Sequence, residues 1–94
     1  MSTRKVRDIR RSLLVKGFEQ QLTHHEMFWL IVNGKRTSVR TRLSHGAREY
    51  DDRLLSLMAR QLHLSRREFD QLLDCPMSAE DYLRLLIDRG LVQI

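Results

Sequence analysis

Histidine is the only side chain whose ordinary pKa lies near 7, and three of the four in this chain, His24, His25 and His45, fall in one stretch, THHEMFWLIVNGKRTSVRTRLSHG, from Thr23 to Gly46. The same stretch carries the single tryptophan, Trp29, together with Lys35, Arg36, Arg40 and Arg42. An imidazole gives or takes a proton at neutral pH, and arginines surround a phosphate with charged donors. Together these are the parts of a nucleic-acid surface with a proton-transfer group. Other chemistries lack their parts. There is no Ser-His-Asp or Cys-His arrangement and no phosphate-binding glycine loop. The histidines have no recognised metal spacing, and neighbours on a strand point apart, so neither a metal nor a cofactor is expected.

The elements that must position these groups begin with Asn33-Gly34, which sits between two runs of β-favouring residues. A two-residue type I′ turn needs positive φ at both central positions, and Asn-Gly supplies it. Glu26 to Val32 and Lys35 to Leu43 are therefore expected to pair as an antiparallel hairpin. Continued from that turn, the register sets Ile31 opposite Arg36, Trp29 opposite Ser38, Met27 opposite Arg40 and His25 opposite Arg42. Side chains alternate between faces. One face then carries His25, Met27, Trp29, Ile31, Arg36, Ser38, Arg40 and Arg42. The other carries Phe28, Leu30, Val32, Thr37, Val39 and Thr41, holds no charge and is the expected core face. Arginine beside His25 would lower its pKa and favour the neutral, base-competent imidazole. The plainer reading of His25 is an exposed polar strand residue.

Before the hairpin, Val6, Ile9, Leu13 and Leu14 recur at helical spacing among Arg4, Lys5, Arg7, Arg10 and Arg11, which predicts a helix over residues 4–16 ended by Gly17 in a left-handed cap. Its basic face is either a solvated surface or a phosphate contact. Phe18 to Thr23 is a short strand. After Ser44-His45-Gly46 a second helix is expected over 49–63, lined by Leu54, Leu55, Leu57, Met58, Leu62 and Leu64. Ser65 with Glu68 forms a capping box for a third, through Asp74, which Cys75-Pro76 stops. Ser78 caps a fourth that ends at Gly90. His63, at a helix junction, is read as a capping residue. The order α-β-β-β-α closes as an α+β fold, a three-stranded antiparallel sheet with helices on one face, followed by two C-terminal helices.

With 94 residues the chain suits one domain, 1–94. A net charge of +5 points to a polyanionic partner. The excess lies in the first half: residues 1–48 hold eleven Lys and Arg against three acids, and residues 49–94 hold six against nine. The single Cys75 allows no internal disulfide, fits a reducing cytoplasm, and is a poor metal or catalytic candidate. No apolar run approaches a membrane span, and MSTRKVRDIRRS lacks the apolar stretch of a signal peptide, so a cytoplasmic protein with no membrane association is expected.

The basic first helix KVRDIRRSLLVKGF, the histidine entering the second strand as His25-x-x-Phe28, and the basic third strand together resemble the HicA family of toxin components, over residues 4–63. The resemblance implies a double-stranded-RNA-binding-domain-like fold and a metal-independent ribonuclease activity on mRNA, neutralised by a HicB-type antitoxin. The family's Gly-Ser-His tripeptide stands here as Thr23-His24-His25, so the catalytic histidine carries over to His25 and the glycine and serine do not. Residues 65–94 form a helical extension beyond the compact family pattern.

On this reading His25 is the catalytic group, and Arg40, Arg42, Arg36, Lys35 and Trp29 contact RNA, with Trp29 either stacking on a base or packing under the acidic extension. His45 follows the third strand and so lies near His25, as a second proton carrier or a turn residue. Alternation sends His24 to the opposite face, a weaker RNA contact. A non-catalytic RNA-binding module of the same fold is the alternative. A third reading, Leu54 to Leu73 as a DNA-binding helix-turn-helix, suffers from Glu68, Asp70 and Asp74 on its recognition helix.

Overall fold

A computed structural model describes residues 3–74 and 76–93. The element order is β1 (Arg4–Lys5), α1 (Val6–Val15), β2 (Phe18–Leu22), β3 (Glu26–Val32), β4 (Lys35–Leu43), β5 (Glu49–Tyr50), α2 (Asp52–Gln61), α3 (Arg66–Asp74) and α4 (Ala79–Asp88). Strands β2, β3 and β4 form an antiparallel sheet in that spatial order. The fold is thus α+β with one three-stranded sheet and, among the described residues, four helices.

Local chemistry sets most of the boundaries. Asn33 and Gly34 both take positive φ, 53° and 76°, as the type I′ turn requires. Gly17, at φ 97°, ends α1 and turns the chain into β2. The capping boxes form: Ser65 N–H donates to Glu68 while Glu68 N–H donates to the Ser65 hydroxyl, and Ser78 and Asp81 make the same exchange ahead of α4. His63 takes the left-handed position after α2, at φ 63°, with Leu64 N–H reaching back to the Ala59 carbonyl at 2.9 Å. The stop at Cys75 lies outside the described residues. One pairing had no sequence signal: β1 and β5 form a two-residue antiparallel ribbon, Arg4 opposite Tyr50, that binds the entry of α1 to the entry of α2.

All four helices lie on one side of the sheet. Ile9 and Leu13 from α1, Phe28, Val39 and Leu43 from the sheet, Leu55 and Met58 from α2 with Leu62 just past its end, Phe69 and Leu72 from α3, and Tyr82 and Leu86 from α4 belong to one buried cluster. Tyr82 lies against Phe18 at 6.0 Å between ring centroids and donates its hydroxyl to the Leu62 carbonyl at 2.9 Å. Arg4 grips Asp74 and Asp70 at 2.7 and 3.1 Å, and Arg66 joins Asp70 to Asp52. Lys16 donates to the Met77 carbonyl, tying the end of α1 to the segment before α4. The acidic extension is thereby held against the helices and leaves the basic side of the sheet open.

Three expectations about the hairpin are corrected. The pairs nearest the turn, Val32 with Lys35 and Ile31 with Arg36, follow the expected register, but the next is Trp29 with Arg40, then Met27 with Arg42. Between these pairs Leu30 alone faces Thr37, Ser38 and Val39, a bulge that adds two residues to β4. Thr37 is its cause: the hydroxyl donates to the Leu30 carbonyl at 2.8 Å and accepts from Val39 N–H at 3.2 Å, doing the work of ladder bonds. Because side chains alternate with period two, a shift of two changes every partner and no face. Trp29 therefore faces Arg40, and Arg42 faces Met27 instead of His25.

Second, His25 is not on a strand. Leu22 pairs with Glu26, so Thr23, His24 and His25 form a three-residue connection, closed by Thr23 N–H and Oγ1 donating to the His25 carbonyl at 3.1 and 3.2 Å. Third, the core face does carry a charge: Glu26 is buried there.

Candidate nucleic-acid interface

The open face of the sheet is built by Glu19 and Gln21 on β2, Met27, Trp29 and Ile31 on β3, and Arg36, Ser38, Arg40 and Arg42 on β4, as the alternation in the paired strands requires. The three arginines are exposed, and the three β3 residues are half-buried among them. Arg40 and Arg42 have no ion-pair partner among the described residues, whereas Arg36 reaches Glu19 at 3.3 Å. Both Arg36 and Arg40 set their guanidiniums over the Trp29 ring, 4.6 and 5.1 Å from its centroid. Along the free edge of β4 an open cleft of about 520 Å³ is lined by Met27, Ser38, Arg40, Thr41, Arg42 and Gln61. Lys35 is exposed at the turn end of the same strand.

Three of the four histidines gather at the opposite end of the sheet. His24 and His25 are exposed in the β2–β3 connection, and His45, in the segment after β4, places Nε2 3.4 Å from the Thr23 carbonyl. Tyr50 holds the base of that segment, its hydroxyl accepting from Ser44 N–H at 2.8 Å. The two connections that carry histidines thus meet next to the end of β4, where Arg42 projects from the open face. No hydrogen bond or ion pair fixes the imidazole of His25 among the described residues. The bulge removes the expected pairing of His25 with Arg42.

Beneath this corner lies a pair that sequence reasoning missed. Glu26 accepts a two-pronged bond from Arg10 of α1, with Nε–Oε1 and Nη2–Oε2 both at 2.7 Å, and a third from Gln20 Nε2 at 2.8 Å. The Arg10 hydrogen bond holds the Glu26 carboxyl below its ordinary range against the opposing effect of burial, with Gln20 and the nearby His45 adding to it. The signal was present in the alternation: Glu26 falls on the apolar side of β3, and an acid there demands a cation from the helix above. Arg10 stands beside Ile9 and Leu13 on the buried stripe of α1.

Elsewhere the chemistry is structural. Among the described residues no group of three or more His, Cys, Asp or Glu comes together that could hold a metal ion. Arg66, at the start of the helix that a DNA-reading pair would insert, is engaged by Asp52 and Asp70. No helix is long and apolar enough to cross a membrane. Compared with protein-family models, with curated proteins and with solved structures, the chain matches none.

Proposed function

We propose that the chain is a HicA-like endoribonuclease of double-stranded-RNA-binding-domain-like fold, the toxin component of a toxin-antitoxin pair, acting on mRNA in the cytoplasm. The observation that carries this reading is the run of exposed arginines, Arg40 and Arg42, along β4 to the corner where His25 and His45 sit on adjoining connections. RNA lies along β4 with its phosphates on the arginines. The imidazole of His25 takes the proton of the 2′-hydroxyl, the 2′-oxygen bonds to phosphorus, and the bond from phosphorus to the 5′-oxygen breaks. The imidazolium of His45 protonates the departing 5′-oxygen, and the product carries a 2′,3′-cyclic phosphate. Arg42 offsets the charge that develops on the phosphoryl oxygens. No metal enters these steps.

Purified chain incubated with mRNA in the presence of a chelator is the test. Cleavage should fall by about 10²–10⁴-fold in His25→Ala; equal cleavage by both proteins refutes the assignment. A HicB-type antitoxin is the expected protein partner, encoded beside this chain, and adding it should abolish cleavage.

Among the described residues no group orients the His25 ring, and this favours a second reading, a non-catalytic RNA-binding module. Binding that weakens steeply with salt, without cleavage by the unmodified chain, selects it.

A further inference from the structure

Trp29 is placed unlike a core tryptophan. It stands on the open face in the central strand, half-buried, with two cations over one indole. Its Nε1 is closed off from solvent and meets no acceptor among the described residues. A buried donor without an acceptor is unfavourable, and so are two like charges gathered on one ring. The crowding of the two cations is relieved by one event: the guanidiniums leave the indole for anions, and the uncovered ring receives a flat partner.

We propose that Trp29 is a stacking platform for an unpaired base of single-stranded RNA, capped in the free protein by Arg36 and Arg40 and uncapped when these turn to the flanking phosphates. The inference rests on the RNA-binding reading above and names the class of RNA. Duplex RNA keeps its bases stacked on one another and offers a protein its phosphates and 2′-hydroxyls, so a tryptophan in the middle of a sheet has nothing to stack on. A single strand offers both base and phosphate. Arg40 and Arg42, two residues apart on one side of β4, are separated by about 7 Å along the strand, comparable with the step between phosphates of an extended chain. Glu19, bonded to Arg36 and opposite Trp29 in the register, holds the cap closed.

Because Trp29 is the only tryptophan in the chain, its emission reports the event directly. The full chain is titrated with octauridylate, with an RNA duplex of the same length, and with inorganic polyphosphate of matched charge. Octauridylate should quench the emission saturably and bind about ten-fold tighter than the duplex, and polyphosphate, which can draw the arginines off the ring but has no base to stack on it, should not reproduce that quench. By anisotropy of labelled octauridylate, Trp29→Leu should bind roughly ten-fold more weakly with the same salt dependence. Glu19→Gln should bind about two- to five-fold more tightly. Equal or tighter binding of the duplex overturns the inference. So does octauridylate that binds without changing the emission, or a Trp29→Leu variant with an unaltered unfolding midpoint that binds as well as the parent. Cleavage that depends on His25 and persists beside any of those results leaves the ribonuclease reading standing. Failure of both RNAs to bind overturns the two together.

Discussion

Replacing Arg10 with methionine keeps most of the apolar stem and removes the fork that holds Glu26. The Glu26 side chain is 8% exposed and that of Arg10 33%. Breaking a fully buried pair by removing one partner costs about 3–5 kcal/mol, because the remaining charge is left without compensation. Here one third of the arginine is wet and Gln20 still donates to the carboxylate, so solvent screening brings the expected loss to about 2–3 kcal/mol at pH 7. For a domain of this size that lowers Tm by about 10–20 °C.

The pH dependence has a definite sign. Glu26 has a folded pKa below its unfolded value of about 4.3, so its contribution is complete above that value and is lost as pH falls through the lower folded one. The unfolding curves of parent and variant should therefore draw together as pH falls below about 4.3 and on through the lower folded value. Urea unfolding followed by circular dichroism at pH 7 and pH 3 measures both effects. The double variant Arg10→Met, Glu26→Leu exchanges the pair for apolar contact and should recover stability to within about 1 kcal/mol of the parent. A single variant that loses less than about 0.5 kcal/mol at pH 7 refutes the reasoning. A double variant as unstable as the single refutes it too.

The remaining predictions concern the bulge, the core and the open face. Thr37→Val leaves the Leu30 carbonyl and the Val39 amide without the hydroxyl they share; it should cost about 1–2 kcal/mol in a urea titration and speed amide exchange at Val39. Tyr82→Phe should cost about 1 kcal/mol through the lost bond to Leu62, seen in the same titration. Burial pushes the Tyr82 phenol well above its ordinary value, so absorbance at alkaline pH should show one tyrosine that ionises only as the fold is lost. Arg42→Ala should weaken RNA binding without altering the fold and lower the slope of log K against log salt by about 0.7, as expected for one phosphate contact to a single strand, measured by anisotropy across a salt series.

Much of the secondary structure was legible before any tertiary contact. Asn33-Gly34, Gly17, the Ser65–Glu68 box and Ser78 act through bonds within a few residues, so their sequence context is nearly their whole environment. The faces of the hairpin were legible as well, since alternation survives any even shift, which is why Phe28, Leu30 and Val39 fall on the core side as expected. The grouping of Arg36, Arg40 and Arg42 on the open side follows from the same periodicity.

Other features were decided only when distant parts met. A turn fixes the pairs beside it, but Thr37 could replace ladder bonds only where β3 lies against β4, and that choice moved Arg40 to Trp29 and Arg42 away from His25. Whether His25 began a strand or ended a turn depended on where β2 stopped pairing. Glu26 needed the approach of α1 before a carboxylate on the core side could stay charged. The side on which the extension packs followed from Tyr82, Phe69 and Leu86 finding the helical side of the sheet, with Arg4 fastening Asp70 and Asp74 there. Periodicity and turn chemistry are local and determined the elements and their faces. Partners, burial of charge and the openness of the basic face depend on contacts between residues far apart in sequence, and only tertiary packing decides those.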